Sequence, residues 1–126
     1  HATSTPEGDI NEATALRLAF GEMLNDIPIT APKGQLGHLA GGSGAVGAIA
    51  AIQALMFGQI PPVGNLENVD PQEITAKRGE TTETFTLEDL NLIKGQSIER
   101  QIQTALVLGY GFGGYNAAVL LRRWNG

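Results

Sequence analysis

The stretch "GQLGHLAGGSGAVGAIAAIQALMFG", residues 34–58, carries the reading of the fold. It begins as a glycine-rich loop around His38. It then becomes a run over 44–57 that is apolar on every side and built mostly from small residues. A helix that is hydrophobic all round must be surrounded by protein, and its Ala and Gly positions allow close backbone approach. Residues 39–58 are nearly long enough to span a membrane. Their glycines, Ser43 and Gln53 lower the hydrophobicity, and flanking basic residues are missing, so a buried core helix is expected and no membrane contact. A chain of 126 residues can hardly wrap such a helix completely.

Working outward, residues 11–24 place Ala15, Leu18, Phe20 and Leu24 on or near one helical face. Asp9 is the expected N-cap, with Glu12 as its capping-box partner. Residues 27–33, "IPITAPK", read as a short strand leading into the loop, and residues 60–72 as an ordered extended loop. A polar strand edge is expected over 75–83. A partly helical stretch interrupted by Gly95 is expected over 87–103, carrying Leu90, Ile93, Ile98 and Ile102. The end of the chain, "IQTALVLGYGFGGYNAAVLLRRW" (102–124), is two apolar runs joined by a glycine-rich turn, which reads as a hairpin of buried strands. Helix, strand, helix, strand, strand is an α/β order.

Composition narrows the function. The chain is 42% hydrophobic and 17% charged, which suits one folded domain. Its net charge of −5, with no basic stripe beyond Arg122 and Arg123, argues against nucleic acid as a partner. With no cysteine, the chain cannot supply a disulfide, a thiolate zinc site or a nucleophilic thiol.

Both histidines sit in loops rich in Gly, Ser and Thr. His1 opens "HATSTPEGD", followed by the hydroxyls of Thr3, Ser4 and Thr5. His38 lies five residues after Lys33, where the positive end of the apolar helix points into the loop. Two imidazoles and an ammonium suit a reaction that builds negative charge on a carbonyl oxygen, because they can donate to an enolate without a metal. Zinc finds little support, since two histidines without cysteine or HExxH spacing make a poor ligand set. The glycine clusters match neither GxGxxG between strand and helix nor GxxxxGK[ST].

Four motifs occur in order along the chain: "HATSTPEGD" (1–9), "APKGQLGHLAGGSGAVGAI" (31–49), "IPPVGNLENVDP" (60–71) and "GYGFGGYNAAVLL" (109–121). Together they resemble the C-terminal half of β-ketoacyl-acyl-carrier-protein synthases, the condensing enzymes of the thiolase-like superfamily. The resemblance implies an α/β thiolase-like fold in which this chain is one portion of a five-layered α/β/α/β/α enzyme. It implies that residues 1–126 form the C-terminal domain without its first strand and without the N-terminal half that bears the nucleophilic cysteine. Residues 81–103 then read as an insertion.

Carried over residue by residue, His1 and His38 resemble the two histidines that hold the malonyl thioester carbonyl. Lys33 resembles the lysine that orders this site, and Glu12 its ion-pair partner. Thr3 and Thr5 resemble the hydroxyls lining the pantetheine channel. Phe112 resembles the gating phenylalanine beside the acyl pocket, with Gly111, Gly113 and Gly114 as the backbone around it. Leu108, Gly109 and Tyr110 depart from the family's Asn-Ser-Phe, and Tyr115 stands where a small or polar residue is usual, which concerns pocket shape.

The implied activity is acyl transfer and decarboxylative condensation in fatty-acid or polyketide synthesis. It needs no metal or cofactor beyond the carrier's phosphopantetheine arm. The implied partners are an acyl carrier protein, the enzyme's own N-terminal half and a second copy of the parent. The implied location is the bacterial cytoplasm, or the mitochondrion or plastid of a eukaryote. A non-catalytic ketosynthase-like subunit shaping an acyl tunnel is the alternative.

Overall fold

The computed structural model describes residues 1–124. The first helix, α1, runs Pro6–Phe20, five residues earlier than the apolar spacing suggested. Pro6 explains the early start: its fixed φ suits the first helical turn, where its missing N–H costs nothing. Asp9 and Glu12 therefore lie inside the helix, not at a capping box, and the N-cap residue Thr5 makes no side-chain cap bond. Gly21, at φ 58, ends the helix, and a 3₁₀ segment Gly21–Asp26 follows. The strand expected over 27–33 is reduced to one parallel bridge, Ile29 with Leu92. Pro28 and Pro32 flank it and cannot donate to a ladder.

The short helix α2, Lys33–Leu36, precedes a 3₁₀ turn at Ala40–Gly42 and then α3, Ser43–Phe57. Gly58 closes α3 at φ 67, its N–H reaching the Ala54 carbonyl at 2.9 Å. Three antiparallel pairs complete the α/β structure: β1 (Gln59–Ile60) with β4 (Ile98–Glu99), β2 (Ile74–Arg78) with β3 (Thr81–Phe85), and β5 (Thr104–Gly111) with β6 (Tyr115–Arg122). The last hairpin has the expected position, with Thr104 opposite Arg122 and Gly111 opposite Tyr115. Residues 87–103 contain no α-helix. They form a 3₁₀ turn, Leu87–Asp89, capped by Thr86 and Asp89, and continue extended past Gly95 at φ 71.

The buried-helix expectation is corrected. In α3 only Ala54 and Leu55 are buried, while Ile49 is 54% and Phe57 67% exposed. The hairpin is equally open: β6 is exposed at every position but one. The reason is geometric. A single helix face meets β5, where Gly47 lies so close to Val107 that a Cβ would sit 3.1 Å from its Cγ1. Together with the preceding 3₁₀ turn, Ala40–Phe57 forms a helical run of 18 residues apolar enough to cross a membrane, by length and composition alone.

The core lies elsewhere. Ala13, Leu24, Ile74, Ala76, Phe85 and Leu90 form one cluster between α1 and the β2–β3 hairpin, and Ala54, Ile60 and Ile93 a second. Phe85, Leu90 and Ile93 all belong to the segment 81–103, so that stretch is built into the core. Arg17 is 3% exposed and sits over the Phe85 ring at 4.7 Å. Its guanidinium donates to the Gly21 carbonyl at 3.1 Å and to Asn25 Oδ1 at 2.8 Å, and lies 3.4 Å from Glu83. Arg17→Ala is expected to cost about 3 kcal/mol, because it empties the buried space over Phe85 and removes the bonds that tie α1 to Gly21 and Asn25. Glu83→Gln, on a half-exposed partner, should cost less than about 1 kcal/mol. Denaturant midpoints would test the contrast, and equal costs would contradict it.

Candidate functional site

Residues 1–5 form an irregular loop, with Ala2 at φ 43 and Ser4 at φ 60. Two carboxylates of α1 hold it. The Glu12 carboxylate accepts from the charged α-amino group of His1 at 2.6 Å and from the Ala2 N–H at 2.7 Å, and Asp9 Oδ1 accepts from the Ser4 N–H at 3.2 Å. Burial pushes the Asp9 carboxyl above the ordinary aspartate range, against the lowering effect of the Ser4 N–H. These acids serve the loop instead of capping the helix, since their spacing of three puts both on the face it crosses.

Lys33 opens α2. Its ammonium donates to the His1 carbonyl at 2.7 Å and stands 3.3 Å from His1 Nδ1. Burial lowers the Lys33 pKa, and the Glu12 charge opposes that shift. The expected direct Lys33–Glu12 ion pair is absent among the described residues. The Glu12 carboxylate is taken instead by the His1 α-amino group and the Ala2 N–H, so Glu12 holds the nitrogen of His1 and Lys33 its carbonyl.

The third grip on His1 comes from β5, where the Tyr110 N–H points at Nδ1 from 3.3 Å. The Tyr110 ring also meets the His1 ring edge-on at 5.3 Å, and burial raises its phenol pKa, with Glu12 adding to the shift. A backbone N–H and an ammonium can only donate, so Nδ1 of His1 is the acceptor and the proton is carried on Nε2.

His38 reaches the same tautomer by a different route. Gly37, at φ 76, turns the chain out of α2, and Ala40 at φ 48 folds the loop back. The Ala40 N–H then donates to His38 Nδ1 at 3.0 Å, and Ser43 Oγ lies 3.2 Å from the same atom. The two imidazoles are perpendicular, with ring centres 5.9 Å apart. Two rings that each direct an N–H outward form a donor pair for an oxygen that gains negative charge.

A cleft of about 240 Å³ opens beside His1, lined by His1, Glu12 and Lys33 together with Ser43 and apolar residues of α3 and β5, and His38 stands outside its lining. The structure thus brings His1, Lys33, Glu12 and His38 together. Thr3 and Thr5 share a hydroxyl contact at 3.3 Å, and Thr5 lines a separate cleft of about 310 Å³. Phe112 stands at the β5–β6 tip, 102% exposed, between Gly111 and Gly113. Gly113 takes φ 78, which favours glycine, and the Tyr115 ring lies against it. Among the described residues no three His, Asp or Glu side chains gather as metal ligands. Sequence reasoning missed Ser43 and the main-chain role of Tyr110. For Ser43 the signal was present, a hydroxyl at the helix start five residues after His38.

The fold thus sets two loop-held histidines side by side, with a lysine on the first of them. Residues 1–67 match the family model of the beta-ketoacyl synthase C-terminal domain, and the chain belongs to the β-ketoacyl synthase family, whose domain has the thiolase-like fold. It is 34% identical over 124 residues to a 3-oxoacyl-acyl-carrier-protein synthase 2 of Synechocystis, covering 98% of this chain and 26% of the relative. It is 37% identical over 121 residues to the chloroplastic 3-oxoacyl-acyl-carrier-protein synthase II of Arabidopsis thaliana, covering 95% of this chain and 19% of that protein. It is 29% identical over 123 residues to the tetracenomycin polyketide synthase ketoacyl synthase alpha subunit of Streptomyces glaucescens, covering 98% and 25%. The chain therefore spans about a quarter or less of the length of these relatives.

Proposed function

We propose that the chain is the portion of a β-ketoacyl-acyl-carrier-protein synthase that supplies its decarboxylation site, in an enzyme that condenses an acyl thioester with malonyl-carrier. The observation that supports this best is the His1–His38 pair, in which both Nδ1 atoms are occupied by N–H donors. Loss of CO₂ from the malonyl group leaves its electron pair on the α-carbon, with charge spread onto the thioester oxygen. The Nε2–H groups of His1 and His38 stabilise that oxygen, and preorganised donors of this kind lower such a barrier. The carbanion then attacks the acyl group held on a cysteine, a carbon–carbon bond forms, and the thiolate leaves.

The cysteine is outside this chain, which contains none. Lys33 and Glu12 orient His1 and do not touch the substrate. Thr3 and Thr5 border the pantetheine channel, and Phe112, with Gly111 and Gly113, gates the acyl pocket once the rest of the enzyme stands against it. The partner is an acyl carrier protein whose phosphopantetheine arm is the only prosthetic group the reaction needs. The exposed apolar face of α3 and the open face of β6 are covered by the enzyme's other half, in a layered arrangement that two copies complete.

The 126-residue chain alone is expected to form no 3-oxoacyl product from acyl- and malonyl-carrier, because it has no thiol to acylate. Product formation by the purified chain, followed by mass spectrometry of the carrier, would overturn this reading.

A further inference from the structure

Ser43 is the first residue of α3, and its hydroxyl lies between two groups of the histidine loop. The Leu39 N–H donates to Oγ at 3.0 Å, and His38 Nδ1 is 3.2 Å away. The first contact uses an oxygen lone pair and leaves the hydroxyl hydrogen to be placed. Nδ1 already accepts the Ala40 N–H at 3.0 Å, so it carries no proton and can only accept from Ser43. The lone pair of Nδ1 is therefore shared between a backbone donor and a hydroxyl donor.

We propose that Ser43 is a positioning residue for His38, holding its ring and its Nε2–H tautomer through a second hydrogen bond to Nδ1. The inference rests on the assignment of His38 to decarboxylation made above. A single donor to Nδ1 fixes the tautomer but leaves the ring free to rock about that bond. Two donors from different directions fix the plane, and with it the line along which Nε2–H points. The loop needs such a brace because His38 and Ser43 are exposed or half-exposed, and side-chain packing there is sparse.

The test uses the full-length enzyme and malonyl-carrier decarboxylation, with Ser43→Ala and the equally shaped pair Ser43→Thr and Ser43→Val. Ser43→Ala and Ser43→Val are expected to lower kcat by about 5- to 10-fold, the worth of one ordinary hydrogen bond, with KM within about twofold. Ser43→Thr should stay within about threefold of the parent. In a His38→Ala background, Ser43→Ala should cause no further loss of decarboxylation rate, since the serine, as proposed, has no route to the reaction except that ring. Equal rates for the Thr and Val variants would overturn the proposal. So would a Ser43→Ala loss that persists without His38, or a Ser43→Val protein that fails to fold where Ser43→Thr folds, because either assigns the hydroxyl to loop structure. An unchanged rate for His38→Ala alone would instead overturn the underlying assignment, and this inference with it.

Discussion

Replacing His38 by alanine in the full-length enzyme is expected to lower malonyl decarboxylation by about 10²- to 10³-fold, the usual loss when one donor to a developing oxyanion is removed. Transfer of the acyl group to the cysteine should remain within a few-fold of the parent. The split follows from the geometry. His38 is held by its own loop, through Ala40 and Ser43, and its ring faces His1. Its Nε2–H is thus available to an oxygen that becomes charged only when CO₂ departs. The two half-reactions can be read separately, by release of CO₂ from malonyl-carrier and by mass spectrometry of the acylated enzyme. Equal loss of both would mean that the imidazole acts on the nucleophile.

Gly34→Ala should be the most damaging small substitution in the chain, although Gly34 is neither a ligand nor in a left-handed conformation. A Cβ there would sit 2.3 Å from the Gly64 carbonyl oxygen and 3.0 Å from the Gly64 nitrogen. A Cβ on Gly64 would in turn lie 2.9 Å from the Gln35 nitrogen, so the two glycines face each other, backbone against backbone. Asn65 Nδ2 fastens the same crossing by donating to the Gly34 carbonyl at 2.7 Å. A backbone obstacle cannot swing aside as a side chain can. The methyl group is therefore expected to cost about 3 kcal/mol of stability, the upper range for overpacking. Lys33 precedes Gly34, so separating the two segments would also draw its ammonium off the His1 carbonyl. Thermal melts and decarboxylation rates of Gly34→Ala would test this together, and a variant that matches the parent in both would show that the contact is loose.

Much of the site was legible in the chain. His1, Lys33 and His38 stood out because each is a charged or titratable group in a loop of small residues, and the motifs around them carry the family resemblance. The β5–β6 hairpin was legible too, since two apolar runs about a glycine turn leave few alternatives. What the residues did not disclose were the contacts within the site. Glu12 and Lys33 carry opposite charges and serve one histidine, which suggests an ion pair. Only the folded loop reveals that the His1 α-amino group and the Ala2 N–H claim the carboxylate first.

The division between local and long-range information has the same cause throughout. Glycine and proline act on their own backbone, so the ends of α1 and α3 and the glycine turn at Gly113 are written in the chain at those positions. The apolar surface of 44–57 is also intrinsic to the sequence, but it states only that a cover is required. Which face is covered was decided by the tertiary structure, where β5 takes one side and leaves Ile49, Ile52, Met56 and Phe57 open. The tautomer of His1 is the clearest case. No neighbour in sequence sets it; the donors that do are the Lys33 ammonium and the N–H of Tyr110, which reaches the ring only because β5 runs past the N-terminal loop. A hydrogen bond between such distant residues has no signature in local propensity or periodicity, and tertiary packing alone creates it.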